Sequence, residues 1–320
     1  MSEPAEDPLV SVLVPTFDRP RYLRETLASV VAQSWRNIEV VVHDNASPAD
    51  PAPIVASFAD PRIVLYRNSE NVGVTRNIMA GLARCRGKYV AILGDDDRWE
   101  PEFLATLIRP LEEDPALVLA FCDHGIMDDD SRPDAAMADK VTRRFGRDRL
   151  REGVQFPFDR IALVHRAICI VSGAVLRRTA FDWEALPRAL RFGADFYISY
   201  LAVRTGRPCY YVPRRLSSYR YHRGSLTASL AASEQKLQNA HDAMLYWSRL
   251  LNDRTLTRDK RYFEMKLGFN ALRAAVVLAH AGHWRRAGAQ LRRSWNAGLL
   301  RPRILFVHLV YALRLHRARA

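Results

Sequence analysis

Gly87-Lys88-Tyr89-Val90-Ala91-Ile92-Leu93-Gly94-Asp95-Asp96-Asp97 is the stretch that decides the fold. Tyr89–Leu93 is a short apolar run, the pattern of a buried strand. Three carboxylates follow at its end. Adjacent carboxylates repel one another unless something neutralises them. A hard divalent cation would do so, held by one or two carboxylates and completed by phosphate oxygens. The bland alternative is a solvated acidic turn. The apolar strand before the triad and Trp99 just after it make an odd setting for a surface turn, and the metal reading is preferred.

Working toward the N-terminus, strand-like and helix-like segments alternate. Leu9–Val14 reads as a buried strand ending at Pro15. Asp18 or Arg19 followed by Pro20 signals a helix start, and Leu23, Leu27, Val30 and Val31 recur at helical spacing. Ile38–Val42 is a second strand, closed by His43-Asp44-Asn45-Ala46-Ser47. Pro51–Phe58 reads as a short helix, Ile63–Tyr66 as a third strand and Val74–Ala83 as a helix. Beyond the triad, Pro101–Leu111 reads as a helix and Leu117–Phe121 as a strand. Such alternation predicts an α/β fold with a mainly parallel sheet and helices on both faces.

From 124 to 153 the pattern fails, which predicts a long surface loop. Periodicity returns at Ile161–Val164 and in the strand-like Ile168–Leu176. Ala194–Val203 reads as helix, 209–222 as aromatic strand, and 231 onward as helix. Charge changes at the same place. Residues 231–320 hold 17 Lys and Arg against 5 Asp and Glu, whereas 1–230 hold 31 against 30. The basic excess therefore belongs to the C-terminal part and suggests an anionic partner for it. The expected organisation is a tail over 1–8, a catalytic domain over 9–230 and a basic helical region over 231–320.

Other classes lose support. Cys85, Cys122, Cys169 and Cys209 lie far apart with no CxxC pair, which argues against a zinc site or disulfide framework and for a reducing compartment. MSEPAEDP has no apolar core, so no secretory leader is expected. Ile304–Leu313 falls short of the about 20 residues a membrane span takes. Gly81…Gly87-Lys88-Tyr89 has the wrong spacing for a P-loop and lacks its Ser or Thr. No GxGxxG follows the first strand, and no GxSxG elbow occurs.

In an open α/β sheet, ligands bind beyond the carboxyl ends of the strands. Three polar turns fall at such ends: Pro15-Thr16-Phe17-Asp18, His43-Asp44-Asn45 and Gly94-Asp95-Asp96-Asp97. Asp44 alone reads equally well as a turn former. The convergence of the three is the informative feature.

The sequence resembles the family-2 glycosyltransferases, which have a GT-A fold. The matching stretches are Val10-Ser11-Val12-Leu13-Val14-Pro15-Thr16-Phe17, Leu23-Arg24-Glu25-Thr26-Leu27 to Ala32-Gln33-Ser34-Trp35, and Glu39-Val40-Val41-Val42-His43-Asp44-Asn45-Ala46-Ser47. Asn71-Val72-Gly73, Arg76-Asn77 and Gly87 through Asp97 continue the series, over about residues 8–225. The resemblance implies an inverting transferase that moves a sugar from a UDP- or dTDP-sugar to a saccharide or lipid-linked acceptor. The setting it implies is synthesis of cell-surface polysaccharide or glycoconjugate.

It also implies roles. Pro15, Thr16 and Asp44 meet the nucleotide base and ribose, with Asn71, Arg76 and Asp95 nearby. The Arg76 guanidinium suits a diphosphate. Asp96, with Asp97 or Asp95, holds Mg²⁺ or Mn²⁺ against the diphosphate. Members commonly read Asp-x-Asp-Asp here, whereas this chain has Gly94 first. The acceptor base maps to Asp195 within Phe192-Gly193-Ala194-Asp195-Phe196, where a helix N-cap is the competing role. Tyr219-Arg220-Tyr221-His222 resembles the segment that closes over the site, which makes His222 a metal ligand and Arg220 a diphosphate or acceptor contact, with a structural place among the aromatics the competing role for His222. Trp99 is placed beside the donor sugar or in the core.

Nucleotidyl transfer on a related fold is an alternative, but it calls for a Gly-rich loop after the first strand that is absent. A non-catalytic binding module is another, against which the intact Asp44, Asp96, Asp97 and Asp195 argue. The basic region has no nucleic-acid-binding signature, so no nucleic acid is expected and an anionic membrane surface is the preferred partner. The expected location is cytoplasmic, peripheral on the inner face of the cell membrane.

Overall fold

A computed structural model describes residues 7–222 and 233–296. The chain divides into two units. One runs to Arg188 and resumes over Ala194–His222; the other takes Ala189–Gly193 and the residues after 222.

The first unit is built on β1 (Val10–Thr16), α1 (Pro20–Val31), β2 (Ile38–Asp44), α2 (Ala52–Ala56), β3 (Ile63–Arg67), α3 (Val74–Leu82) and β4 (Tyr89–Ile92). It continues with β5 (Arg98–Trp99), α4 (Phe103–Glu113), β6 (Leu119–Met127), α5 (Ala135–Arg144) and β7 (Gly153–Gln155). A helical turn α6 (Ile170–Gly173), β8 (Ala174–Arg177), α7 (Ala194–Arg204) and β9 (Cys209–Arg220) complete it. Val10, Val12, Leu13 and Val14 are fully buried because both faces of the strand are covered. Pro20 opens α1, where its missing N–H is no loss, and Leu23, Thr26, Leu27 and Val30 form its buried stripe.

The sheet order is β3-β2-β1-β4-β8-β6-β9-β5, with β7 on β9. β1 pairs in parallel with β2 and β4, and its register sets Thr16 beside Asp44 and Leu13 beside Ile92. The turns after β1, β2 and β4 therefore open at one edge of the sheet. Gly87 allows β1 and β4 to approach, since a Cβ there would lie 2.6 Å from Ser11 N and 2.7 Å from Leu9 O. Val12, Val40, Leu93, Leu104 and Leu107 belong to one apolar core beneath this edge.

The sheet is less uniformly parallel than the alternation of elements suggests. β8 runs antiparallel between β4 and β6, and β5 and β7 run antiparallel to β9. Residues 124–153 are also not the expected loop. β6 continues to Met127 by pairing with β9 across a register shift at Asp123. Asp134 caps α5 by accepting from Met137 N at 2.8 Å. Polar residues here are buried as pairs: Arg147 Nε donates to Asp123 Oδ1 at 2.6 Å, and Arg147 is 2% exposed. Residues 168–176 are not one strand either. Ser172 turns the chain with φ of 76° before β8 begins.

The second unit contains α8 (Ser233–Asn252), α9 (Lys260–His280) and α10 (Trp284–Asn296). Ala240, Met244, Ala271 and Ala274 form an apolar contact flanked by Leu237 and Leu267. Small residues there let α8 and α9 pack closely, and added bulk would cost about 1–3 kcal/mol. Asp242 accepts from the N–H groups of Arg191 and Phe192, which ties the 189–193 segment to α8. Residues 1–6, 223–232 and 297–320 lie outside the described residues, including most of the N-terminal tail and the Ile304–Leu313 run. Among the described residues no helix is long and apolar enough to cross a membrane.

Candidate active site

The site is built around the loop that follows β4. Asp95 is buried and fully engaged. Its Oδ2 accepts from Thr16 Oγ1 at 2.8 Å and from Phe17 N at 3.1 Å, and its Oδ1 accepts from Arg19 Nη1 at 2.8 Å. Burial pushes the Asp95 carboxyl up to about 6, with Arg19 opposing and Asp96 adding to the rise. Thr16 and Asp95 thus join the ends of β1 and β4, with Pro15 half-buried just before.

Asp96 is the carboxylate that faces outward. Its Oδ2 accepts from Arg19 Nη1 at 2.6 Å and lies 3.0 Å from His222 Nε2. Among the described residues its Oδ1 has no hydrogen-bond partner. His222 comes from beyond the end of β9, and its ring sits 4.9 Å from that of Tyr22 on α1.

Asp97 points the other way. Ser172 Oγ donates to its Oδ2 at 2.5 Å and the Arg220 main-chain N–H to its Oδ1 at 2.9 Å. Burial, with the Asp96 charge adding, holds the Asp97 carboxyl well above the usual carboxylate range. Asp97, expected as a second metal ligand, therefore has both oxygens committed within the protein.

The same holds for Arg220 and Trp99. Arg220 is 1% exposed. Its guanidinium donates to Glu25 Oε2 at 2.7 Å, to Asp96 O at 2.8 Å and to Ser131 Oγ at 2.8 Å, and it stacks 4.5 Å from the Tyr22 ring centroid. It is not open to a diphosphate. Trp99 stacks on Phe103 at 4.2 Å and donates its Nε1 to Ser172 O at 2.8 Å. Of its two expected places, Trp99 occupies the core.

The β2 turn supplies the second wall. Asp44 is fully buried, and its carboxylate receives the N–H and hydroxyl of Ser47 and the Arg67 Nε, the last at 3.1 Å. Asn45 Nδ2 donates to Asn71 Oδ1 at 2.8 Å, while its Oδ1 accepts from Val72 N at 3.0 Å. Asn71 is thereby drawn to the edge where β1 and β2 end. Arg76, in the first turn of α3, is exposed and donates its Nε to Arg188 O at 3.1 Å.

Asp195 is exposed in the first turn of α7, with Ser199 Oγ donating to its main-chain oxygen at 3.0 Å. Burial pushes the half-buried Cys169 thiol up to about 12, with the Asp97 charge adding to the rise, Arg147 opposing it and Asp195 adding a smaller part.

The chemistry of the donor set permits a cation at Asp96. One carboxylate with an open oxygen and one imidazole offer O and N donors, which suit Mg²⁺ or Mn²⁺ when phosphate oxygens complete the shell. An all-protein cage does not fit: among the described residues no group of three or more ligating side chains forms.

The sequence profile of glycosyl transferase family 2 matches residues 11–182. The chain belongs to that family. An uncharacterized glycosyltransferase of Rickettsia prowazekii is 26% identical over 187 residues, which is 58% of this chain and 57% of that relative. The GalNAc(5)-diNAcBac-PP-undecaprenol beta-1,3-glucosyltransferase of Campylobacter jejuni is 32% identical over 118 residues, 36% of this chain and 38% of the relative. The chain thus spans little more than half the length of the first of these relatives and less of the second.

Solved structures share the fold at low identity. Staphylococcus aureus TarS in complex with UDP-GlcNAc aligns with a TM-score of 0.63 and 15% identity over 89% of this chain and 81% of its own. A mannosyltransferase of Pyrobaculum calidifontis in complex with GDP-Man and Mn²⁺ aligns at 0.56 and 19% identity, over 97% and 81%. This family-2 member therefore has the GT-A fold, with C-terminal helices in addition.

Several residues of the site escape a sequence reading. Arg19 registers there only as a helix start, and Ser172 sits in a segment that reads as strand. Glu25 and Ser47 fall within stretches that carry the family resemblance, but the resemblance assigns neither a role. Arg19 alone carries a signal, a cation just past the end of the first strand.

Proposed function

We propose that this family-2 member transfers a sugar from a nucleoside diphosphate donor, UDP- or dTDP-linked, to the hydroxyl of a saccharide or lipid-linked acceptor, with inversion. The setting would be cell-surface polysaccharide or glycoconjugate synthesis. The observation that carries the reading is the meeting of Thr16, Asp95, Asp96 and His222 at one edge of the sheet. The UDP-GlcNAc and GDP-Man complexes of proteins with this fold favour a nucleoside diphosphate donor. The undecaprenol-linked substrate in the name of the Campylobacter relative favours a lipid-linked acceptor.

Each group then has a task. Pro15, Thr16, Asp44 and Asn71 line the edge where a base and ribose would lie, and the exposed Arg76 would exchange its hydrogen bond to Arg188 O for a diphosphate. Asp96 and His222 would hold Mg²⁺ or Mn²⁺. The ion supplies charge stabilisation for the departing nucleoside diphosphate. Asp195 takes the proton of the acceptor hydroxyl as its oxygen attacks the anomeric carbon from the face opposite the leaving group. The test is a screen of the purified protein against nucleotide-sugars with Mn²⁺ and an acceptor panel, reading nucleoside diphosphate release and the anomeric configuration of product. Turnover of none of the donors, or retention of configuration, would overturn it.

An anionic membrane surface is the proposed partner of the C-terminal region, in keeping with a lipid-linked acceptor and a place on the inner face of the membrane. Arg285, Arg286, Arg292 and Arg293 are exposed on α10. A separation of seven residues is two helical turns, so the two pairs stack on one side. Ala287, Leu291 and Ser294 occupy the buried side.

A further inference from the structure

Arg19 stands where a cation would be drawn. Its Nη1 lies 2.8 Å from Asp95 Oδ1 and 2.6 Å from Asp96 Oδ2, so one guanidinium nitrogen bridges two of the three carboxylates. The bridge is partly shielded from solvent: the side chains are 22%, 5% and 13% exposed for Arg19, Asp95 and Asp96. Arg19 is the residue just before α1, with non-helical main chain at φ of −133°. It reaches the loop from the sheet edge where the nucleotide would lie.

We propose that Arg19 is a built-in competitor of the divalent cation, which keeps Asp96 from binding metal until a nucleoside diphosphate draws the guanidinium away. The inference rests on the metal reading above. An ion shared by Asp96 and His222 would sit on the Oδ2 side of the carboxylate, where His222 Nε2 lies 3.0 Å and Arg19 Nη1 2.6 Å away, and there it would meet a fixed positive charge that is not lost by deprotonation. Without Arg19, the buried carboxylates would lack a counter-charge, so the protein gains from the bridge before donor arrives. A diphosphate offers a guanidinium at least as much negative charge in a bidentate arrangement. Once Arg19 turns to it, Asp96 Oδ2 is released for the ion. Metal and nucleotide then favour one another's binding, and by linkage the favour is equal in both directions.

The experiment is a Mn²⁺ titration of the full chain, reading free Mn²⁺ by its electron paramagnetic resonance signal. It is run alone and with UDP, dTDP or GDP against protein-free nucleotide controls. Wild type should bind Mn²⁺ weakly alone and about tenfold or more tightly with the preferred nucleotide, a coupling of ordinary size for linked sites. Arg19→Gln should bind Mn²⁺ alone about tenfold more tightly and lose a matching part of the nucleotide effect. Arg19→Lys keeps the charge but not the fork, and should fall between; it also serves if the Gln variant does not fold. Asp96→Asn should remove the bound Mn²⁺ in either background. Equal Mn²⁺ affinity without nucleotide in all residue-19 variants overturns the competition while leaving the metal reading intact. Wild type that binds no Mn²⁺ even with nucleotide overturns the metal reading and this inference with it.

Discussion

The main-chain N–H of Arg220 donates to Asp97 Oδ1 at 2.9 Å, across 123 residues of sequence. The contact fastens the end of β9 to the loop after β4. It is the reason His222, two residues further on, meets Asp96. Ser172 completes the clasp by donating to Asp97 Oδ2 and accepting from Gly94 N at 3.0 Å.

A clasp residue and a ligand respond differently to truncation. Asp97→Ala leaves the Ser172 hydroxyl and the Arg220 N–H buried without a partner, at about 1–3 kcal/mol for each such group. Asp97→Asn keeps an acceptor for Arg220 N and should lose much less. Urea unfolding of the two variants reads the difference. An Asp97→Ala protein as stable as wild type would remove Asp97 from this role.

Asp96 should show the opposite profile. Asp96→Ala removes one charge from a like-charged cluster, so stability should change little while transfer is lost. EDTA should abolish transfer, and Mn²⁺ or Mg²⁺ should restore it. Full transfer in EDTA rejects the metal at Asp96.

The parallel half of the fold is legible because Val10–Val14, Ile38–Val42 and Tyr89–Leu93 are buried on both faces, and double burial writes itself as an unbroken apolar run. The end of β6 is not legible, for a physical reason. Asp123 and His124 lie within a strand, yet the strand reads as ending at Phe121 and His124 as loop, because their burial is made tolerable by Arg147, which arrives from a later segment. The Ser172 turn is equally hidden, since a serine at φ of 76° is held by its partners and not by its own preference. At the site, the carboxylates Asp95 to Asp97 are conspicuous in the sequence. Which way each points depends on Thr16, Arg19, Ser172 and Arg220, and that division of labour has no sequence pattern.

Asp195 is tested by a change that keeps its shape. Asp195→Asn retains a polar side chain in the first turn of α7 but removes the proton acceptor. Loss of a positioned base lowers rate by about 10²–10⁴. Transfer should fall within that range while nucleotide-sugar affinity, read by calorimetry, is kept. A normal rate in the Asn variant makes Asp195 a helix-terminus residue only.

His124 gives the fold an acid sensitivity. Burial depresses its imidazole to about 3, and the Arg147 charge adds to the drop. Arg147 Nη2 lies 3.4 Å from Nε2, and among the described residues Nδ1 has no partner. The unfolded chain takes up a proton near pH 6.5 that the folded chain refuses until about pH 3. Stability should therefore fall as pH drops through that window, by up to about 1.4 kcal/mol per pH unit from this group. His124→Gln should flatten the profile of unfolding free energy between pH 6.5 and 4 relative to wild type. Parallel profiles would show that His124 is not the group responsible.

The exposed arginines of α10 set the last prediction. Arg285, Arg286, Arg292 and Arg293 stack on one side of a helix within a region that carries nearly all of the basic excess of the chain. Each basic residue near an anionic bilayer contributes about 1 kcal/mol, so four together give an appreciable, reversible attraction that salt screens. The protein should sediment with vesicles containing phosphatidylglycerol, not with neutral phosphatidylcholine vesicles, and 0.5 M salt, on the order of a few times physiological strength, should release it. Replacing the four arginines by glutamine should weaken binding without unfolding, because these residues are exposed to solvent. Deleting residues 299–320 separates the contribution of the rest of the basic region. If the four-fold variant and the deletion both bind anionic vesicles as wild type does, the basic residues are a solvated helix face and the membrane partner is rejected.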